Sequence, residues 1–124
     1  MANVLLFKSL RAGVAIPAYT QVKFSAPGVV VPAASAADSI IGITGELSVV
    51  AGERVDVALI GLAEVRAGAV FAAGAELTSD ATGAAVAAAP AAGANVRISG
   101  IAFDAAEEAG DVVSVILSIG SVQG

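Results

Sequence analysis

Ile41-Gly42-Ile43-Thr44-Gly45-Glu46, followed by Ala51-Gly52-Glu53-Arg54-Val55-Asp56-Val57-Ala58-Leu59, is the stretch that decides the fold, because the chain repeats it. It returns as Ser99-Gly100-Ile101-Ala102-Phe103-Asp104 and Ala109-Gly110-Asp111-Val112-Val113-Ser114-Val115-Ile116-Leu117, displaced throughout by 58 positions. Upstream, Ile16, Ala18, Val22, Gly28 and Val31 align with Phe71, Ala73, Leu77, Gly83 and Val86 at an offset of 55. The two registers differ by three residues in the central loop. Two copies are too few for a solenoid. The duplication therefore predicts one fold of two similar halves, about 14–61 and about 69–120, related by a pseudo-two-fold axis.

Within each copy the hydrophobic period is that of strands. Val55, Val57 and Leu59 alternate with Arg54, Asp56 and Ala58, as on a half-buried strand. Val113, Val115 and Leu117 repeat the alternation, with Ile116 adding the apolar second face of a fully buried strand. Strands are expected near 19–24, 29–32, 39–44 and 54–60. Residues 62–67 form a bridging strand, and 75–79, 84–88, 95–103 and 112–119 repeat the order. Asp80-Ala81-Thr82-Gly83 reads as a turn. Residues 104–110 have an Asp at one end and a Gly at the other, like a single helical turn, but their first-half counterpart favours a loop. The Ala-rich run 84–94 has helical propensity, opposed by Pro90, Gly93 and its place in the repeat. The expected fold is all-β, a small barrel or sandwich built from two similar halves. Residues 1–13 lie outside the detected repeat and are expected to be an N-terminal arm, with 14–124 a single β domain. The arm's apolar Val4, Leu5, Leu6 and Phe7 either cover the domain's own edge or add a strand to a neighbour.

Composition excludes several functions. The 124 residues fit one domain. They are 57% hydrophobic but hold only one Tyr and four Phe, so the apolar content is mainly Ala and Val. Charged residues are 14%, against about 25% in an ordinary soluble domain, which points to surface hidden against partners. The net charge of −5 and the scatter of Lys8, Arg11, Lys23, Arg54, Arg66 and Arg97 argue against a nucleic-acid partner. Mean hydropathy is +0.90. The longest charge-free run, 81–96, is rich in Ala and Gly and too poor in large side chains for a spanning helix, so no membrane partner is expected. Residues 1–6 lack a basic flank, so the chain is expected to be soluble and not secreted.

No histidine and no cysteine removes the commonest bases, nucleophiles and metal ligands. Asp104, Glu107, Glu108 and Asp111 are the densest acidic group. They suit either a hard cation or a solvated loop, and the spacing does not match an EF-hand. Thr78, Ser79, Asp80 and Thr82 read as a hairpin turn. Glu64 and Arg66, two apart, share a strand face and suit an ion pair, local or between subunits, or a plain exposed face. No glycine run has phosphate-loop spacing. No enzyme activity and no cofactor are expected. The candidate partner-binding residues are Val4, Leu5, Leu6, Phe7, Lys8, Arg11, Glu64 and Arg66.

Three segments carry a family resemblance. They are Gly52-Glu-Arg-Val-Asp-Val-Ala-Leu-Ile-Gly-Leu-Ala-Glu-Val-Arg-Ala-Gly68, then Ala73-Gly-Ala-Glu-Leu-Thr-Ser-Asp-Ala-Thr-Gly-Ala-Ala-Val86, and Gly100-Ile101-Ala102-Phe103-Asp104 leading through Ala109-Gly110-Asp111 into Val112-Val113. Over roughly 40–120 the chain resembles the capsid cement, or head decoration, proteins of tailed bacteriophages. The resemblance implies a small β-rich virion protein, made in the host cytoplasm, that binds the major capsid protein on the outer surface of the shell and stabilises it. It also implies a homo-oligomer, commonly a trimer and sometimes a dimer, with no catalytic residues. A carbohydrate- or small-ligand-binding β module is the alternative from another class, disfavoured by the absence of Trp. A self-assembling shell subunit is the third.

Overall fold

The computed structural model describes residues 3–90 and 92–123. Met1 and Ala2 of the expected arm, Ala91 of the Ala-rich run and Gly124 of the expected domain lie outside the described residues. The described chain is all-β, as expected. In order the strands are β1 (Asn3–Ala12), β2 (Gln21–Ala26), β3 (Val29–Pro32), β4 (Gly42–Thr44), β5 (Arg54–Arg66), β6 (Glu76–Ser79), β7 (Ala85–Ala87), β8 (Asn95–Ala102) and β9 (Val112–Gln123). Among the described residues no helix is long and apolar enough to cross a membrane.

The nine strands form one sheet in the order β1-β3-β2-β4-β5-β9-β8-β6-β7, and an additional β1–β5 pairing closes its first half into a five-stranded ring. β1 and β3 meet in parallel at Arg11↔Val29 and Ala12↔Val30. The second half closes in the same way, through the parallel bridge Ala67↔Ala85 just beyond the end of β5. β5 belongs to both rings. Its first residues pair with β1 and β4, and its last residues, Leu62 to Arg66, pair with β9.

The expected strands 54–60 and 62–67 thus merge into one 13-residue strand. Gly61 makes this continuity compatible with two rings. It has φ +115, and a Cβ there would stand 2.6 Å from the carbonyl oxygen of Asn3. Around it the buried side of the strand changes. Val55, Val57 and Leu59 face one core cluster, while Ala58, Ala63 and Val65 belong to the other.

The two clusters are the two copies of the repeat. Ala12, Ile16, Val22, Val30, Val55 and Val57 fill the first ring. Their counterparts Ala67, Phe71, Leu77, Ala85, Val113 and Val115 fill the second. Each buried Val, Leu, Ile or Phe contributes about 1.5–3 kcal/mol by leaving water, so the duplication lies where the stability lies.

Hydrogen bonds correct one expectation. The end of the described N-terminal segment, at Ala12 and Gly13, does have a counterpart, Ala67 and Gly68 just after β5. Ala12 N donates to Glu53 O at 2.8 Å as Ala67 N does to Asp111 O at 2.7 Å. Gly52 N donates to Ala12 O as Gly110 N does to Ala67 O, both at 2.8 Å. Gly13 N and Gly68 N reach Val30 O and Ala85 O in the same relation. The N-terminal segment is therefore the first strand of the first ring, and it lies antiparallel to β5 of its own chain.

The Ala-rich segment supplies β7 rather than a helix, because Leu77 to Ser79 offer it an antiparallel edge. Residues 104–110 form a loop in which Ala106 bridges to Phe71.

Candidate interaction surface

β1 carries the arm's expected residues on an exposed strand. Leu5, Leu6 and Phe7 are 74%, 48% and 60% exposed, although Leu6 and Phe7 are in register with Ile60 and Ala58. Register irregularities around Leu5 and Leu6 break the regular alternation, and consecutive large apolar side chains face solvent as a result. Val4 is half-buried and packs on the second-ring cluster. Lys8 and Arg11 are exposed, and Arg11 stands opposite Arg54.

Glu64 and Arg66 are half-buried at the other end of β5. The Arg66 guanidinium reaches Thr20 Oγ1 at 3.5 Å and Thr82 O at 3.2 Å, tying the two rings together. The eight candidate residues thus fall into six on β1, exposed except for Val4, and a pair at the junction. Val4 and Glu64 meet again in a shallow hollow of about 320 Å³ with Tyr19 and Glu46.

Several large apolar residues outside the candidate set are also exposed. Ile101 and Ile116, directly opposite on β8 and β9, are 37% and 45% exposed. Phe24 and Phe103 are 52% and 56% exposed. Alternation marked Ile116 as a doubly buried position, and its exposure corrects that reading.

The acidic group resolves into turn chemistry. Asp111 Oδ2 accepts the backbone N–H groups of Glu107 and Glu108, at 3.0 and 3.3 Å. Asp104 Oδ2 accepts from Ser114 N. Asp80 Oδ1 accepts from Thr82 N, Thr82 Oγ1 and Ala84 N, holding the expected hairpin turn. Among the described residues no cluster of three or more acidic side chains is placed to hold a metal. The Asp38 carboxyl is held below its ordinary value, first by the Lys23 ammonium at 2.9 Å and then by the Ala34 N–H.

This surface belongs to a structural binding module, with apolar side chains spread over strand faces and edges and carboxylates engaged in turns. The family follows from comparison. Residues 19–117 match the family model for phage cement proteins, and the chain belongs to that family. The crystal structure of the head fiber gp8.5 N base of bacteriophage phi29 has the same fold, with a TM-score of 0.70 and 20% identity, over 96% of this chain and 98% of that one. A search of curated protein sequences returns no match. The chain is a capsid-associated structural decoration protein of the virion.

Proposed function

We propose that this protein attaches as a small homo-oligomer, a trimer in preference to a dimer, to the major capsid protein on the outer surface of the assembled shell and reinforces it. It is made in the host cytoplasm and performs no catalysis. The match of residues 19–117 to the cement family carries the reading. The exposed Leu5, Leu6 and Phe7 beside Lys8 support it, because apolar burial at about 25 cal/mol per Å² suits a contact made many times over. Engagement of several copies at once multiplies modest contacts through effective concentration.

The test is co-sedimentation of the purified protein with undecorated capsids of its own phage. Stoichiometric pelleting is expected. Protein left in the supernatant under conditions where the capsids are intact overturns the proposal. The double variant Leu5→Asp/Phe7→Asp, which alters exposed side chains, is expected to pellet at least tenfold more weakly while keeping the thermal midpoint of the parent.

A further inference from the structure

Each ring carries the same two surfaces in equivalent positions, but the molecule itself covers only one of each. On the first ring, Ile43 and Ala58 are 0% and 9% exposed, buried in a cluster whose other buried members belong to the second ring. Their counterparts, Ile101 and Ile116, stand in the same cross-strand relation and are exposed. Gln21, fully buried, donates through Nε2 to Thr78 O at 3.0 Å and Gly83 O at 3.3 Å. Its counterpart, Glu76, is exposed.

The facing side of the junction shows the same contrast. Gly83 turns with φ +82, and a Cβ there would meet Thr20 Cγ2 at 2.5 Å and Gln21 O at 2.9 Å. Gly28 makes the equivalent turn with φ +74 and has nothing within 4 Å. Ser79 is 3% exposed, whereas its counterpart Phe24 is 52% exposed beside a shallow hollow that runs from Phe24 to Gly28. Arg66 is half-buried on Thr20, whereas Arg11 is exposed. The junction made once inside the chain is thus left half-made at each end.

We propose that a second copy of this chain completes it. The Ile101–Ile116 face of the second ring of one copy takes the Arg11, Phe24 and Gly28 face of the first ring of the next, as the Ile43–Ala58 face of the first ring takes the Arg66, Ser79 and Gly83 face of the second within each molecule. The two faces carry opposite charges, exposed Glu76 on one and exposed Arg11, in the place of Arg66, on the other, while Lys23 is engaged with Asp38 at 2.9 Å. The contact is heterologous, joining two different surfaces, so it builds a closed ring when its rotation closes. This inference rests on the small oligomer proposed above and names its contact.

Two variants test it. Ile116→Lys spoils only the second-ring face, and Arg11→Glu/Phe24→Asp spoils only the first-ring face. By light scattering each alone is expected at the monomer mass of 11.9 kDa, with a thermal midpoint close to that of the parent. Mixed in equal amounts, the two are expected to form a one-to-one complex, because one intact pair of faces remains between them. Should Ile116→Lys fail to fold, Ile101→Glu replaces it. A parent protein that is itself monomeric, variants that keep the parent's mass, or a mixture that stays monomeric each overturns the contact. Capsid co-sedimentation of the parent is read separately. A monomer that still pellets with capsids removes this contact and leaves capsid attachment standing, and an oligomer that ignores capsids does the reverse.

Discussion

At Gly42 and Gly100 the backbone of one strand runs so close to its neighbour that a side chain has no room. A Cβ at Gly42 would collide with the carbonyl oxygen of Ala58, and one at Gly100 with that of Ile116. Alanine at either position is expected to push the strand pair apart and cost about 2 kcal/mol, within the range for overpacking a tight site. Urea unfolding checks this, and a change below 0.5 kcal/mol, the scale of a neutral surface substitution, contradicts it. Tyr19 illustrates a different constraint. Its φ is +55, where the second copy has Gly74 at φ +87. A non-glycine residue in this region costs about 1–2 kcal/mol, so Gly74→Ala is expected to destabilise by about 1 kcal/mol. At Asp38 the sign of the pH dependence follows from the lowered carboxyl value. The folded state favours the ionised form, so the Lys23–Asp38 contribution is present above the ordinary carboxylate value and fades as pH falls through the lowered one. The difference in thermal midpoint between the parent and Asp38→Asn is expected to be small at pH 7, because the pair is partly exposed, and to shrink further as acid protonates the carboxyl.

Among the elements, β5 carries most of the architecture, since both rings close through it. Gly61→Val is expected to cost at least about 2 kcal/mol, combining a left-handed backbone with the approach of Asn3, and to loosen β1 first. Faster hydrogen exchange in β1 than in β9 of that variant is the measurement that checks it. The alternation in 54–60 and 112–119 was legible because period two is a local property of a strand half-buried in one core. The role of β1 was less legible. Leu10-Arg11-Ala12-Gly13 matches Val65-Arg66-Ala67-Gly68 at the same offset of 55, so the signal was present. It covers four residues, and upstream of it the copies diverge, with Leu6 standing where the second copy has Gly61. The segment therefore read as an arm when it is a ring strand. Of the candidate residues, exposure of Leu5, Leu6 and Phe7 was legible as an apolar run without a covering partner. The internal bonds of Arg66 to Thr20 and Thr82 were not, because those residues lie 46 and 16 positions away along the chain.

For the whole molecule, a shared strand makes the rings interdependent. Removing β5 from either leaves that ring open and its cluster exposed to water. Unfolding is therefore expected as a single calorimetric transition, with van't Hoff and calorimetric enthalpies equal, despite the two cores. Two resolved transitions contradict the shared-strand account. The sequence alone determined the all-β class, the two-fold duplication, the alternating strands at 54–60 and 112–119 and the absence of histidine and cysteine chemistry, because composition and short-period patterning are properties of the chain itself. Only the tertiary structure decided that the copies share a strand, that the N-terminal segment completes the first ring, and that Ile43 and Ala58 are covered while Ile101 and Ile116 are not. Equivalent residues carry equivalent local patterns, and their burial differs only because one ring has the other against that face.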